Sequence, residues 1–204
     1  GRRRTHRIPA QRRGGQLAVP RDAYKHAVEF YLSVTQRITA DQWNLPSLGV
    51  WTVRDLAGHT SRAMLTVKQF ASANPGATAD IPSSVAYYQR AFVGEGVNER
   101  IAERGRETAT TMGDDLPAAA AQLAGEVTAL IDTLPDDHIF ATLIGGITLA
   151  NYLPTRTVEL VVHTLDLQAA TGIDGDPPRD AMLETLRLLA ELAVDTPHAG
   201  RLAL

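Results

Sequence analysis

Glu159 and His163 lie four residues apart in the apolar run Val158-Glu-Leu-Val-Val-His-Thr-Leu-Asp-Leu167. On a helix, positions i and i+4 share a face with Cβ atoms about 5–6 Å apart, so this pair can aim a carboxylate oxygen and an imidazole nitrogen at one point. A third donor stands far upstream, where His59 closes the segment Trp51-Thr-Val-Arg-Asp-Leu-Ala-Gly-His59. If His59 comes from another helix, the three make a His/Glu/His set that leaves one coordination position free for water or a substrate atom. Each residue also has an ordinary alternative. Glu159 can pair with Arg156 or Arg54, His163 can satisfy one hydrogen bond in a core, and His59 can sit half exposed. Against that alternative, a glutamate in an apolar stripe carries a desolvation cost unless a cation or a metal compensates it.

The neighbours of these residues are weaker candidates. Asp166 follows His163 by three residues and so shares its face. It could orient a metal ligand or hold a bound water, or it could be a solvated surface carboxylate. Arg156 and Arg54 have the planar fork that grips a carboxylate, which makes them candidates for fixing an anionic substrate; ion pairs with Glu159 or Asp55 are the competing use. Trp43 and Trp51 are expected to pack under the loop that enters the His59 helix. His6, His26, His138 and His198 have no partner at ligand spacing. The chain contains no cysteine, which excludes disulfides, a thiolate metal site and a cysteine nucleophile. Any thiol chemistry would use a thiol brought by a ligand.

The elements that must position these side chains read as helices. Apolar residues at Ala23, Ala27, Val28, Phe30, Tyr31, Val34 and Ile38 recur at helical spacing, which predicts a first helix from Asp22 to about Ile38. After a loop carrying Pro46 and Gly49, Thr52 with Asp55 three residues on predicts a capped start for a second helix, about Val53 to Ser72. Its apolar face would hold Leu56, Ala63, Met64, Val67 and Phe70. A long polar helix is expected over about Ser84 to Thr111, with Gly94, Gly96 and Gly105 weakening its continuity. A fourth follows over about Pro117 to Leu134, with Pro117 at the favoured first position. The stretch Ile139 to Leu149 is β-rich on both sides of Gly145-Gly146 and predicts a short hairpin or extended excursion. The Glu159/His163 helix should run from about Leu153 to Ala170, stopped by Gly172, and a last helix from Asp180 to about Val194 carries Ala181, Leu183, Leu186, Leu189, Ala190 and Ala193.

At 204 residues the chain is long enough for one domain with a sizeable core, and it has no second block of composition. Residues 1–20 hold Arg2, Arg3, Arg4, Arg7, Arg12 and Arg13 and no acid; removing those six charges from a total of −3 leaves −9 on the rest. An acidic body argues against a nucleic-acid-binding domain, although a basic arm could touch phosphates. The division expected is a basic arm over residues 1–20, read as a tag remnant or upstream extension because Gly1 stands where Met would, and a bundle over residues 21–204. No apolar stretch reaches the roughly 18–20 residues of a membrane span, so no membrane partner is expected and a cytoplasmic location is. An apolar terminal helix also raises a homodimer as an expectation.

Two segments, Trp51-Thr-x-Arg-Asp-Leu-x-x-His59 and Arg156-x-x-Glu159-x-x-x-His163-x-x-Asp166-Leu167, resemble the signature segments of the mycothiol-dependent maleylpyruvate isomerase N-terminal family, within the DinB/YfiT-like metalloenzyme superfamily. Helix order and the Ala170-Thr-Gly172 ending are similar as well, so the resemblance spans about Asp22 to Val194. It implies an all-α, DinB-like up-down bundle of four main helices plus an extra one, with the β-rich excursion near 139–149. It also implies that His59, Glu159 and His163 are metal ligands, usually for zinc, and that the cosubstrate is a small thiol such as mycothiol. The isomerase itself carries a second, sterol-carrier-like domain for which this sequence shows no counterpart, so the reading carried over is the broader one: thiol transfer to, or isomerisation of, a small electrophile, with Asp166 and Arg156 as supporting catalytic residues. A DinB-like dimeric metal-binding module without catalysis and a metal-dependent hydrolase are the alternatives.

Overall fold

The computed structural model describes residues 20–72, 77–93 and 95–194. The arginine arm, apart from Pro20, therefore lies outside the described residues, as do His6 and His198. Among the described residues are seven α-helices and one two-stranded antiparallel sheet: α1 (Pro20–Thr35), α2 (Val53–Ala71), α3 (Ser84–Ala91), α4 (Val97–Thr111), α5 (Leu116–Thr133), β1 (Ile139–Thr142), β2 (Gly145–Thr148), α6 (Leu149–Thr171) and α7 (Arg179–Val194). The architecture is the helix bundle with a β-rich excursion that the sequence predicts. Helix α2 packs on α4, α5 and α6, while α1 packs on α5, α6 and α7. None of these helices is long and apolar enough to cross a membrane.

The apolar stripes explain the packing. All seven residues of the predicted α1 stripe are buried, and so are Leu56, Ala63, Met64 and Val67 of α2. Burying such a stripe is what holds helices together in water, at about 25 cal/mol per Å² of apolar surface removed. Thr52 caps α2 as expected: its Oγ1 accepts from the Asp55 amide at 3.2 Å and Asp55 Oδ2 accepts from the Thr52 amide at 3.0 Å. This reciprocal box fixes where the His59 helix begins, a contribution typically about 1 kcal/mol.

One expectation is corrected and two gain detail. The long polar helix over 84–111 is two helices, α3 ending at Ala91 and α4 beginning at Val97, with Gly96 in a left-handed conformation (φ 67°) at the start of α4. The hairpin forms, but Gly145-Gly146 is not its turn. Thr142 pairs with Gly145, so Leu143 and Ile144 make the turn and both glycines belong to β2. A Cβ on Gly146 would overlap the Thr78 carbonyl, so this glycine is there to let the 78–81 segment approach, and the Gly146 carbonyl accepts from the Ile81 amide at 2.9 Å. In α7, Leu183, Leu186 and Leu189 are exposed; the buried residues are Ala181, Thr185 and Leu188. That helix carries two apolar stripes, and the sequence alone does not say which one meets α6.

One contact sets the distance between α2 and α4. A Cβ on Gly58 would lie 2.6 Å from each of Ala109 Cβ, Ala109 N and the Gly105 carbonyl oxygen, so the two helices touch backbone to backbone there. That contact lies one residue from His59.

Candidate metal centre

Helix α6 presents Arg156, Glu159, His163 and Asp166 on one face at spacings of three, four and three, and α2 brings His59 to meet them. Glu159 Oε2 stands 3.3 Å from His163 Nε2 and 3.5 Å from His59 Nε2. The three side chains offer donor atoms that all lie within 4.8 Å of one another. Two of the remaining atoms of the set, His163 Nδ1 and Glu159 Oε1, are committed elsewhere. Asp166 Oδ2 is 3.0 Å from His163 Nδ1, which leaves Nε2 free to face Glu159. Tyr88 Oη lies 2.9 Å from Glu159 Oε1 and 3.0 Å from the Thr155 carbonyl oxygen, so its single proton is shared between two acceptors and Oε2 is left as the inward oxygen. The His59 ring stacks on Trp51 with centroids 4.6 Å apart, and its Nδ1 is buried without a hydrogen-bond partner among the described residues.

Charge follows from burial and these neighbours. Burial pushes the His59 imidazole below its ordinary value, Glu159 works against that, and nearby His163 and Arg62 add to it, so the ring is neutral at neutral pH. Burial alone would raise the Glu159 carboxyl, yet His163, His59 and Arg156 together hold it well below the usual carboxylate range. For His163 burial acts downward and is outweighed by Asp166 and Glu159, which carry it up to about 9. Burial and the Glu159 charge keep the Tyr88 hydroxyl protonated and therefore a donor.

Distances decide whether this donor set fits a cation. A tetrahedral ion with ligands about 2.0–2.1 Å away sets neighbouring ligand atoms about 3.3–3.4 Å apart. The separations of 3.3 and 3.5 Å fall on either side of that edge, and they are long for hydrogen bonds between the same atoms. Two imidazole nitrogens and one carboxylate oxygen are also the ligand chemistry of open, catalytic-type zinc sites. The residues present fit a divalent metal.

The site opens into a pocket of about 490 Å³ lined by His59, Glu159 and His163 together with Arg156 and Arg62. The structure separates the remaining candidates. Arg156 lines the pocket, whereas Asp166 reaches the site through His163 alone. Arg54 bonds the Gly113 carbonyl and Asp55 is spent on the cap, so neither joins the site and they do not pair with each other. Among the described residues Arg156 forms no ion pair; its guanidinium lies 5.0 Å from the Tyr152 ring centre and 5.4 Å from that of Tyr87. His26 pairs with Asp180 and His138 with the Ala71 carbonyl, both away from the pocket.

Two participants are missing from the sequence-level reading. Trp51 does more than pack under a loop, since it forms the platform for His59 and donates its Nε1–H to the Ala102 carbonyl at 3.1 Å. Tyr88 comes from α3, 71 positions from Glu159, and no local pattern marks it. Arg62 was readable: three residues after His59 on one helix, it lies on the same face.

The family model of the mycothiol maleylpyruvate isomerase N-terminal domain matches residues 24–168. The chain belongs to that family. No curated protein and no solved structure matches it. Membership agrees with the helix bundle and carries a mycothiol-related, metal-associated role for the domain. The match takes in α2 and most of α6, and with them all three donor residues and the Trp51 platform. Helix α7 lies beyond the matched span.

Proposed function

We propose that the protein is a metal-dependent enzyme that activates a low-molecular-weight thiol of the mycothiol type and delivers it to a small electrophile. The observation that carries this reading is the convergence of His59, Glu159 and His163 on the wall of an open pocket, with Glu159 Oε2 3.3 and 3.5 Å from the two imidazole nitrogens. A divalent metal, zinc by the nature of the donors, supplies a Lewis acid that stabilises a thiolate over a thiol with a pKa near 8.5. Every other role falls to the chain. His59 and His163 present Nε2, and Glu159 presents Oε2, as ligands. Asp166 accepts from His163 Nδ1, fixing the tautomer and aim of that ring; it is a positioning residue. Tyr88 holds Glu159 through Oε1, and Trp51 holds the plane of His59. Arg156 stands within the pocket as a cation with no carboxylate of the described residues at ion-pair distance, and is suited to an anionic group of a substrate.

The absence of cysteine agrees with a thiol that arrives as a cosubstrate. Attack on an activated alkene, with a proton delivered to the adjacent carbon, gives a conjugate; loss of the thiol after bond rotation gives an isomer. The test is a conjugation assay with a small thiol and an activated alkene, run on the protein as purified, after chelation, and after metal is restored. Thiol consumption that falls on chelation and returns with metal supports the reading. A rate equal to that of thiol and alkene without protein, in all three states, overturns it.

A further inference from the structure

The pocket in front of the donor set is unevenly built. Its deep wall is cationic: Arg62, Arg104 and Arg156 line it, and none of the three has an ion-pair partner among the described residues. Arg156 is more than nine-tenths buried, and its one hydrogen bond among the described residues is from Nε to Thr155 Oγ1 at 3.0 Å. Arg62 has a 3.3 Å bond to Thr108 Oγ1, is repelled by Arg104 and Arg156, and is attracted by the exposed Glu107. Two further arginines line the pocket, Arg90, paired with Asp80, and Arg100, bonded to the Glu95 carbonyl, while its one carboxylate, Glu159, faces the two histidines. Arg156, though steadied by Glu159 and by the Tyr87 and Tyr152 rings beneath it, has no carboxylate at ion-pair distance among the described residues, which with the repelled Arg62 leaves guanidinium donors on this wall for an anion.

The mouth is of opposite character. Phe92, Val93 and Leu143 line it and leave 55, 74 and 75 % of their surfaces exposed. They belong to the connection after α3 and to the hairpin tip, which Asp80 ties together by accepting from Arg90 at 2.6 Å and from the Gly146 amide at 2.6 Å. Three large apolar side chains held in the open around one entrance leave a strip of apolar surface that a ligand can cover.

We infer that the pocket binds an amphipathic organic monoanion: a carboxylate or sulfonate head against Arg156 and Arg62, and an apolar body against Phe92, Val93 and Leu143. Resting on the function proposed above, this ligand is the electrophilic partner of the thiol, and the two-sided pocket selects against short, doubly charged acids that have nothing to lay on the rim. Bidentate guanidinium–carboxylate pairing fixes the head, and the rim then sets how much apolar length is rewarded.

Calorimetric titration of the full chain with phenylbutyrate, its neutral alcohol phenylbutanol and the short diacid succinate tests this. Each titration is run on metal-loaded and on chelated protein, with metal content measured on the same samples. Phenylbutyrate is expected to bind at least about tenfold more tightly than either comparator in both states, as expected for a hydrogen bond to a charged group. Arg62→Gln should weaken it by about tenfold. Leu143→Ser, at an exposed tip where folding is not at stake, should weaken it by about threefold and leave succinate unchanged. Equal binding of acid and alcohol, no binding of any probe, or indifference to both substitutions would overturn the inference. So would binding confined to the metal-loaded protein and insensitive to Arg62→Gln, which would put the carboxylate on the metal. Metal present without preference for the acid sinks the ligand class alone; preference for the acid in protein that takes up no metal sinks the thiol chemistry alone.

Discussion

The same substitution at two helical glycines should move stability in opposite directions. At Gly58 a methyl group would stand 2.6 Å from three atoms of α4, two of them backbone, and contact becomes ordinary only at 3.4 Å. Helices α2 and α4 would therefore have to separate by at least 0.8 Å, the difference of those two distances, or the clash must be absorbed as strain. Overpacking of this kind costs about 1–3 kcal/mol, and two backbone atoms that cannot rotate away put this site toward the upper end. Alanine's better helix propensity returns about 0.5–1 kcal/mol. The net loss is about 1–2.5 kcal/mol, or about 2–10 °C in Tm for a chain of this length. Gly125, inside α5, has nothing within 4 Å of its would-be Cβ and keeps an ordinary helical φ. There Gly125→Ala keeps only the propensity gain, about 0.4–1 kcal/mol and about 1–4 °C upward. Thermal and denaturant unfolding of chelated protein, followed by circular dichroism, gives both numbers free of metal linkage. A Gly58→Ala variant as stable as wild type would refute the backbone contact between α2 and α4, and with it the placement of His59.

Three further outcomes follow from the site and its surroundings. Asp166→Asn removes the charge on His163 Nδ1 while keeping the shape, and should cost about 10–100-fold in metal affinity by chelator competition. Tyr88→Phe frees Glu159 Oε1 and leaves the Thr155 carbonyl without its tyrosine donor; it should destabilise by about 1–2 kcal/mol in denaturant unfolding, and an unchanged midpoint would contradict the shared proton. Glu184 on α7 has a buried oxygen with no hydrogen-bond partner among the described residues, and burial, with Asp180 adding, raises its carboxyl to about 7 against Thr157 and Arg187. A raised folded-state value means the stability due to the protonated group is present below 4.5 and is lost as pH rises to about 7. Glu184→Gln should remove that loss, so the Tm of wild type relative to the variant falls across this window by an amount worth about 1–3 kcal/mol and is flat above it. A difference that does not change with pH would contradict it.

The parts of the fold that were legible in sequence are those fixed by local rules. The α1 stripe, the Thr52/Asp55 box and the Gly172 stop each depend on residues within a turn or two of one another, and each forms. The common face of Arg156, Glu159 and His163 was legible for the same reason. Spacing also decides Arg54: five residues before His59 on α2, it is about 140° round the helix and cannot share its face. Arg62, three residues after His59, can. What could not be read is tertiary. Gly145-Gly146 looks like a turn, but Gly146 is needed where the Thr78 carbonyl arrives from a distant segment. The stack of Trp51 on His59 and the reach of Tyr88 to Glu159 depend on how α3 and the entrance to α2 settle around the pocket. The second apolar stripe of α7 competes with the first on equal terms until α6 is in place.

The most direct measurement is metal content by mass spectrometry, on protein purified without chelator or a metal-binding tag, for wild type beside His163→Ala. About one divalent ion per chain in wild type, lost in the variant while its helical circular dichroism is retained, is the result expected if His59, Glu159 and His163 hold the ion. No ion in either protein, and none taken up when zinc is added, would contradict the central claim. The three side chains would then form a half-buried ion cluster, with a protonated His163 donating from Nε2 to Glu159 and from Nδ1 to Asp166.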